Sequence, residues 1–379
     1  MDILQKRTWA QIDLDAAAHN FKEIRRYVGN RSMVCCVIKA DAYGHGAVRM
    51  AEEYEALGAD WLALSNIEEA LQVRRAGIKL PLLVLGYTPA EAADVLAEND
   101  IAQCAYSAEY CAALSENAVK SGVKVKIHVK VDTGMSRLGF YFQDIERDKE
   151  AVSVVAEACR RPGLIPEGIF THFAVADGGE NGKAFTLKQF SCFMALISEL
   201  EKQGVTFKIH HCANSGAILD YPEMHLDMVR AGVILYGMEP SLSVEHHADF
   251  RPVLSLHSVI SHVKEIEPGS DISYDRTFTA KERMRVATIP VGYADGFLRT
   301  GSGKAHVVLD GRLAPVMGRI CMDMCMVRIP EGAQVHRGDE VTVFGPGAWT
   351  AEDAAEAAGT ISYEVLCAVS RRVPRYCIG

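Results

Sequence analysis

The chain has 379 residues, 49% of them hydrophobic and 23% charged, with a formal net charge of −9; this describes a folded protein of about two domains rather than a disordered one. Its charges are dispersed and no basic block occurs, which argues against nucleic-acid or membrane-surface partners. The N-terminus has no charged segment leading into an apolar one, and no apolar run reaches the ~18 residues of a membrane helix, so the chain reads as soluble and cytoplasmic.

The stretch to about residue 240 alternates short apolar runs with amphipathic segments, the βαβ pattern of a parallel sheet. Eight strands are predicted: Val34 to Lys39, Trp61 to Ser65, Leu82 to Gly86, Ile101 to Ala105, Val125 to Val131, Gly168 to Phe173, Lys208 to Cys212, and Met228 to Tyr236. Helices are predicted between them over Ala47 to Leu57, Asn66 to Ala76 and Thr186 to Gln203, from apolar residues at three- and four-residue spacing. Eight strands in ~240 residues close a (β/α)₈ TIM barrel. After Leu242 the texture changes to short alternating runs such as Val253 to Val263, Val286 to Val291, His306 to Leu309 and Glu340 to Phe344, broken by Gly and Pro turns. The fold class is therefore α/β: a barrel over residues 1–240, then a mostly β domain over residues 241–379, with the first ~10 residues open to pairing with that second domain.

The eleven cysteines are odd in number, and most, like Cys35, Cys36, Cys159 and Cys192, lie inside apolar patterns, so reduced structural thiols are expected rather than bridges. Cys321 and Cys325, and the pairs His210-His211 and His246-His247, lack companions at zinc-ligand spacing, so no structural metal is expected.

Chemistry concentrates where a barrel carries its active site, at the C-terminal ends of the strands. The first strand ends at Lys39; the fifth leads through Lys130 and Asp132 to Arg137; the sixth ends at His172; the seventh leads into Asn214-Ser215; the eighth carries Arg230, followed by Gly232. Taken singly, Lys39 would snorkel to solvent, His172 would be a satisfied core residue and Arg230 a surface ion-pair former. Together, a lysine and a polar nest of hydroxyl and N–H donors suit pyridoxal phosphate, and they suit a sugar-phosphate aldolase equally.

A family resemblance separates these. Val37-Ile-Lys-Ala-Asp-Ala-Tyr-Gly-His-Gly46, Val131-Asp-Thr-Gly-Met-Ser-Arg-Leu-Gly139, Thr171-His-Phe173, His211-Cys-Ala-Asn-Ser215, Ile272-Ser-Tyr274, Gly292-Tyr-Ala-Asp-Gly296 and Gly318-Arg-Ile-Cys-Met-Asp323 resemble, in order and across nearly the whole chain, the motif series of alanine racemase. The resemblance implies an isomerase that uses pyridoxal 5′-phosphate to interconvert L- and D-alanine and supplies D-alanine for peptidoglycan. It also implies a head-to-tail homodimer, in which each site lies between one subunit's barrel and the other's β domain.

By motif, Lys39 would carry the cofactor and act as base on the D face, while Tyr274 of the partner would act on the L face. His172 would link that tyrosine to Arg230 at the pyridine nitrogen. Tyr43, Asn214, Ser215 and Tyr363, with backbone donors at Gly232 and Val233, would hold the cofactor and its phosphate. Arg137 and the backbone of Met322 would take the substrate carboxylate. Lys130 matches a lysine that is carbamylated in several members, and Tyr293 resembles an inner-gate residue of the substrate entry. The chain departs from the common pattern at Asp275-Arg276 after the tyrosine, and at Ser136, where glycine is frequent.

Competing functions differ in visible features. A barrel-type pyridoxal-phosphate decarboxylase would carry a Gly-rich phosphate loop and an acidic group at the ring nitrogen, where this chain has Arg230. A non-catalytic carrier would be a lone barrel without Tyr274. A serine or broad-specificity racemase is the nearest alternative, and Tyr363 favours alanine.

Overall fold

The computed structural model describes residues 7–379. Eight parallel strands form a ring in chain order: Met33–Val37, Trp61–Leu64, Leu82–Val84, Ile101–Ala105, Val125–Asp132, Leu164–Phe170, Ile209–His211 and Met228–Ala231. The last pairs with the first, Met228 opposite Met33 through Ala231 opposite Cys36. Backbone bonds from Asp227 to His210 (3.1 Å) and from Arg230 to Ala213 (2.9 Å) join the seventh to the eighth. Strands such as Trp61–Leu64 and Leu82–Val84 are buried at every position, as expected where helices cover the outside and side chains fill the inside.

Three elements differ from expectation. The eighth strand stops at Ala231; Gly232 turns the chain and Val233–Tyr236 winds as a 3₁₀ turn, because an unbroken apolar run does not distinguish a strand from a buried turn. The sixth starts at Leu164, four residues before the predicted Gly168, through a stretch whose Pro166 and Glu167 mask its strand character. The helix predicted from Thr186 begins at Gly179, where glycines at 179 and 182 weaken the periodic signal.

The second half is mostly β. A six-stranded sheet runs Arg312–Pro315, His306–Leu309, Glu340–Phe344, Leu254–Val259, Thr8–Asp13 and Arg375–Ile378. Thr8–Asp13 pairs antiparallel with Leu254–Val259 and parallel with Arg375–Ile378; for the N-terminal pairing considered above, residues 1–6 lie outside the described residues. His262–Ile266, Met284–Ile289 and Cys325–Arg328 form a second sheet. Between its first two strands, Asp271–Ile272 and Phe278–Thr279 make a small ladder whose loop carries Tyr274.

Candidate active site

The chain leaves the first barrel strand through an unusual turn. Ala40, Asp41, Ala42 and Tyr43 all have φ of 53–54°, a left-handed turn that costs roughly 1–2 kcal/mol per non-glycine residue. Such strain persists only where surrounding contacts over-determine it. The Glu69 carboxylate accepts from the Ala40 and Ser65 amides at 2.8 and 2.9 Å, and Asp41 accepts from the Ala47 amide at 2.8 Å. Gly44, which ends the turn, passes so near the Ser362–Ala368 helix that a Cβ there would lie 2.2 Å from the Leu366 carbonyl. Arg375 donates to the Gly44 carbonyl at 3.0 Å. The turn thus fixes Lys39 and Tyr43 on one side and docks the helix bearing Tyr363 and Cys367 on the other.

A cavity of about 500 Å³ opens at this end of the barrel and gathers Lys39, Tyr43, Lys130, Arg137, His172, Asn214, Ser215, Arg230, Gly232, Val233 and Tyr363. Four of these are cations. Lys130 and Arg230 are each only 4% exposed, yet among the described residues no carboxylate stands at ion-pair distance from any of the four. Burying unpaired cations is costly, so the cavity is built to take an anion.

Arg230 is held by neutral acceptors. Its Nη2 donates to the Thr171 carbonyl (2.8 Å), to Nδ1 of His172 (3.2 Å) and to the Cys212 carbonyl (3.2 Å), and its Nη1 donates to Nδ1 of His211 (2.9 Å). Burial lowers its pKa to about 10, so it remains a cation at neutral pH. Burial, then the charge of Arg230, holds His172 well below the ordinary histidine value, leaving a neutral ring whose Nδ1 accepts and whose Nε2 carries the proton. Burial and then Arg137 lower Lys39; burial lowers Lys130 to about 8, with Arg137 and Arg230 adding to the effect.

At the other side of the cavity, Ser215 Oγ accepts from the Gly232 amide at 3.1 Å. A Cβ on Gly232 would come within 3.2 Å of the Tyr43 hydroxyl and 3.4 Å of Ser215 Oγ, so the glycine keeps a space open between two hydroxyls. Burial raises the pKa of both Tyr43 and Tyr363, which keeps these phenols neutral donors. A hydroxyl and amide cradle at one side, an unpaired buried arginine at the other and a lysine between fit pyridoxal phosphate: its phosphate, its ring nitrogen and its aldehyde carbon.

Arg137 stands on a loop capped by Asp132, whose carboxylate accepts from the Gly134 and Ser136 amides at 3.0 and 2.9 Å. Ser136 has φ 53°, the conformation that suits glycine there.

The structure does not bring Tyr274 or Met322 to this cavity. They are 66% and 53% exposed on the β half, with Tyr293 packed beside Met322: the Tyr293 amide donates to the Cys321 carbonyl and the Ala294 amide to that of Met322. Ser273, Asp275 and Arg276 around Tyr274 all have positive φ, and Ser273 Oγ donates to the Arg319 carbonyl at 2.7 Å. Asp275 lies 3.6 Å from Arg319, so its charge is engaged beside the tyrosine.

Sequence reasoning passed over Glu69, Phe170, Asp177 and Cys367. Phe170, Asp177 and Cys367 line the cavity, and the single ring of Phe170 lies under Lys130 and Arg230 at 5.2 and 5.3 Å. Phe170, at the C-terminal end of the sixth strand, was open to the same strand-end argument as His172. Cys367 and Glu69 reach the site through long-range packing and gave no local signal.

Residues 12–240 match the family model for the alanine racemase N-terminal domain, and residues 253–377 match that for the C-terminal domain. The alanine racemase of Desulfovibrio desulfuricans is 46% identical over 97% of both chains. Among solved structures, the alanine racemase of Clostridium difficile 630 is 43% identical with a TM-score of 0.92, covering 98% of this chain and 96% of its own. That of Bacillus anthracis with bound L-Ala-P is 35% identical with a TM-score of 0.90, covering 99% and 95%.

Proposed function

Because this chain belongs to the alanine racemase family and its reaction is alanine racemisation, we propose that the barrel cavity performs it with two bases, Lys39 and Tyr274 of a second copy. The observation that carries this reading is the separation of parts. The cavity holds Lys39 and anion-binding groups but not Tyr274, which is exposed on a strained loop of the β half. Two copies joined head to tail would bring them together.

Lys39, Tyr43, Ser215, Arg230 and Tyr363 would hold pyridoxal 5′-phosphate, with Asn214 and the backbone of Gly232 and Val233 completing its seat. When bound, the cofactor supplies an electron sink that acidifies the substrate Cα–H bond. Arg137 and the Met322 backbone of the second copy orient the alanine carboxylate, Arg137 by charge-assisted bonds. Tyr274 takes the proton from Cα of L-alanine, and Lys39 returns one to the opposite face; for D-alanine the roles exchange. His172, neutral and protonated at Nε2, donates to the tyrosine oxygen and so favours its phenolate. Arg230 would face the ring nitrogen of the bound cofactor as a donor that never gives up its proton, which would favour return of the proton to Cα over other reactions.

Lys130 is proposed to react as a neutral amine with carbon dioxide, releasing a proton and forming an N–C bond to give a carbamate. Its pKa of about 8 supplies the neutral amine, and the negative product pairs with Arg137. Among the described residues no helix is long and apolar enough to cross a membrane; we assign the enzyme to the cytoplasm, supplying D-alanine for peptidoglycan.

Mixing two inactive variants tests the shared site. Lys39→Ala and Tyr274→Phe should each be inactive, and together, after subunit exchange, should regain about one quarter of wild-type activity, since half the dimers are mixed and half their sites intact. No recovery, with exchange confirmed by mass spectrometry, would refute a site built from two copies.

A further inference from the structure

Behind Arg230 a line of buried side chains runs down the barrel, and the reaction described above does not use it. Nη1 of Arg230 donates to Nδ1 of His211 at 2.9 Å, and Nε2 of His211 lies 2.9 Å from Nδ1 of His128. Nε2 of His128 faces Oε2 of Glu167 at 3.9 Å, beyond hydrogen-bond length. Glu167 is the middle residue of the strand Leu164–Phe170 and lies outside the cavity, where Lys126 and Lys208 bear on its charge.

The protons in this line can point only one way. Burial holds His211 well below the usual histidine value, with Arg230 next in effect, and burial lowers His128; both rings are neutral with one N–H each. Arginine cannot accept, so Nδ1 of His211 must be bare and Nε2 protonated. Nδ1 of His128 must then accept, which leaves its own proton on Nε2, aimed at Glu167. His128 Nε2 and Glu167 Oε2 are both buried and have no other partner, so the two unpartnered atoms are left to each other.

The backbone is shaped around this contact. In the ladder between Val125–Asp132 and Leu164–Phe170, Ile127 pairs with Pro166 and His128 with Gly168, which makes Glu167 the extra residue of a β-bulge, a device that re-aims a side chain. A Cβ on Gly168 would lie 2.4 Å from Nδ1 of His128, so only glycine admits the ring. Phe170 stacks on His211 at 4.8 Å, and Trp61 meets His128 edge-on at 5.2 Å.

We infer that Glu167 is a positioning residue for Arg230, acting through His128 and His211. The line gives the guanidinium one orientation while keeping the carboxylate two rings away from the ring nitrogen, so the arginine stays a pure donor. The inference rests on the reading that Arg230 faces the cofactor ring.

Histidine-ring ¹⁵N NMR of the purified protein tests it directly: His128 and His211 should both be Nε2–H tautomers through neutral pH. Glu167→Leu removes the acceptor and should shift the His211 ring signals and lower kcat on the order of tenfold with KM for alanine unchanged. Glu167→Gln keeps an acceptor oxygen and should stay within about twofold of wild type. His211 protonated at Nδ1 in the wild type would overturn the inference, as would a Glu167→Leu variant with unaltered His211 signals and kcat. If that variant does not fold, Glu167→Ala, read for the same His211 signals and kcat, decides. The visible absorbance of cofactor bound through Lys39, recorded for each protein, separates failure of this inference from failure of the cofactor assignment.

Discussion

Nη2 of Arg230 lies 3.2 Å from Nδ1 of His172, and the cation decides the state of the ring. Because Nδ1 must accept, the imidazole of this cavity-lining residue has its one proton on Nε2. Replacing His172 with Phe removes that donor but leaves Lys39 intact. Racemisation should fall by roughly 10²-fold, the lower range for a proton-transfer group. The primary isotope effect with α-deuterated L-alanine should rise and that with D-alanine should not. Equal isotope effects in both directions would remove His172 from the tyrosine's side of the reaction.

Gly232→Ala tests the phosphate seat. Gly232 sits at φ −113° and ψ −109°, outside the regions that a residue with a Cβ favours, so alanine strains the backbone there, and its methyl would press on the Tyr43 and Ser215 hydroxyls. Cofactor affinity should weaken about tenfold, the cost of a disturbed hydrogen bond, while the apoprotein still folds with a melting temperature lowered by the strained backbone. Titration of apoprotein followed by absorbance measures this; unaltered affinity would place the phosphate elsewhere.

Lys130 should respond to bicarbonate. With ¹³C-labelled bicarbonate at pH 8, a carbamate resonance is expected and should vanish in Lys130→Met. Without carbon dioxide, the folded amine titrates near 8 and the unfolded one near 10.4. The unfolded chain binds more protons between those values, so stability should rise with pH across that window. A flat profile there would contradict burial of an unmodified ammonium.

Acid should unfold the protein through its buried histidines. Burial lowers His45 to about 4 against about 6.5 when unfolded, and His128, His172 and His211 shift the same way. Their contribution is fully present above pH 6.5 and is lost as pH falls through the folded values; for His45 alone the loss by pH 4 is about 3 kcal/mol. Denaturation midpoints from pH 7 to pH 4 should fall steeply, and less so in His45→Gln. Equal slopes in the two proteins would show that His45 is not held neutral.

The barrel was legible because its strands are continuous apolar runs, as in Trp61–Leu64, separated by amphipathic helices, and because strand-end position then selected Lys39, Lys130, Asn214 and Arg230 as neighbours. Motif resemblance, not spacing, singled out Tyr274 and Tyr363. The rest depended on what local pattern does not encode. The bulge that aims Glu167 is a matter of register between two strands. The Glu69 clamp joins residues twenty-nine apart, and the left-handed turn after Lys39 carries no glycine until Gly44.

That turn also limits how the chain can be divided. Its conformation leans on Leu366, and its last carbonyl is gripped by Arg375, so the segment presenting the reactive amine is held in shape by the far end of the polypeptide. The two halves are separate in sequence but not interchangeable as parts. A barrel grafted onto a foreign β domain would inherit every residue of the first half and still lack the surface that keeps Lys39 in place. Recombination between relatives should therefore succeed only when the crossover carries residues 40–44 and 362–375 together.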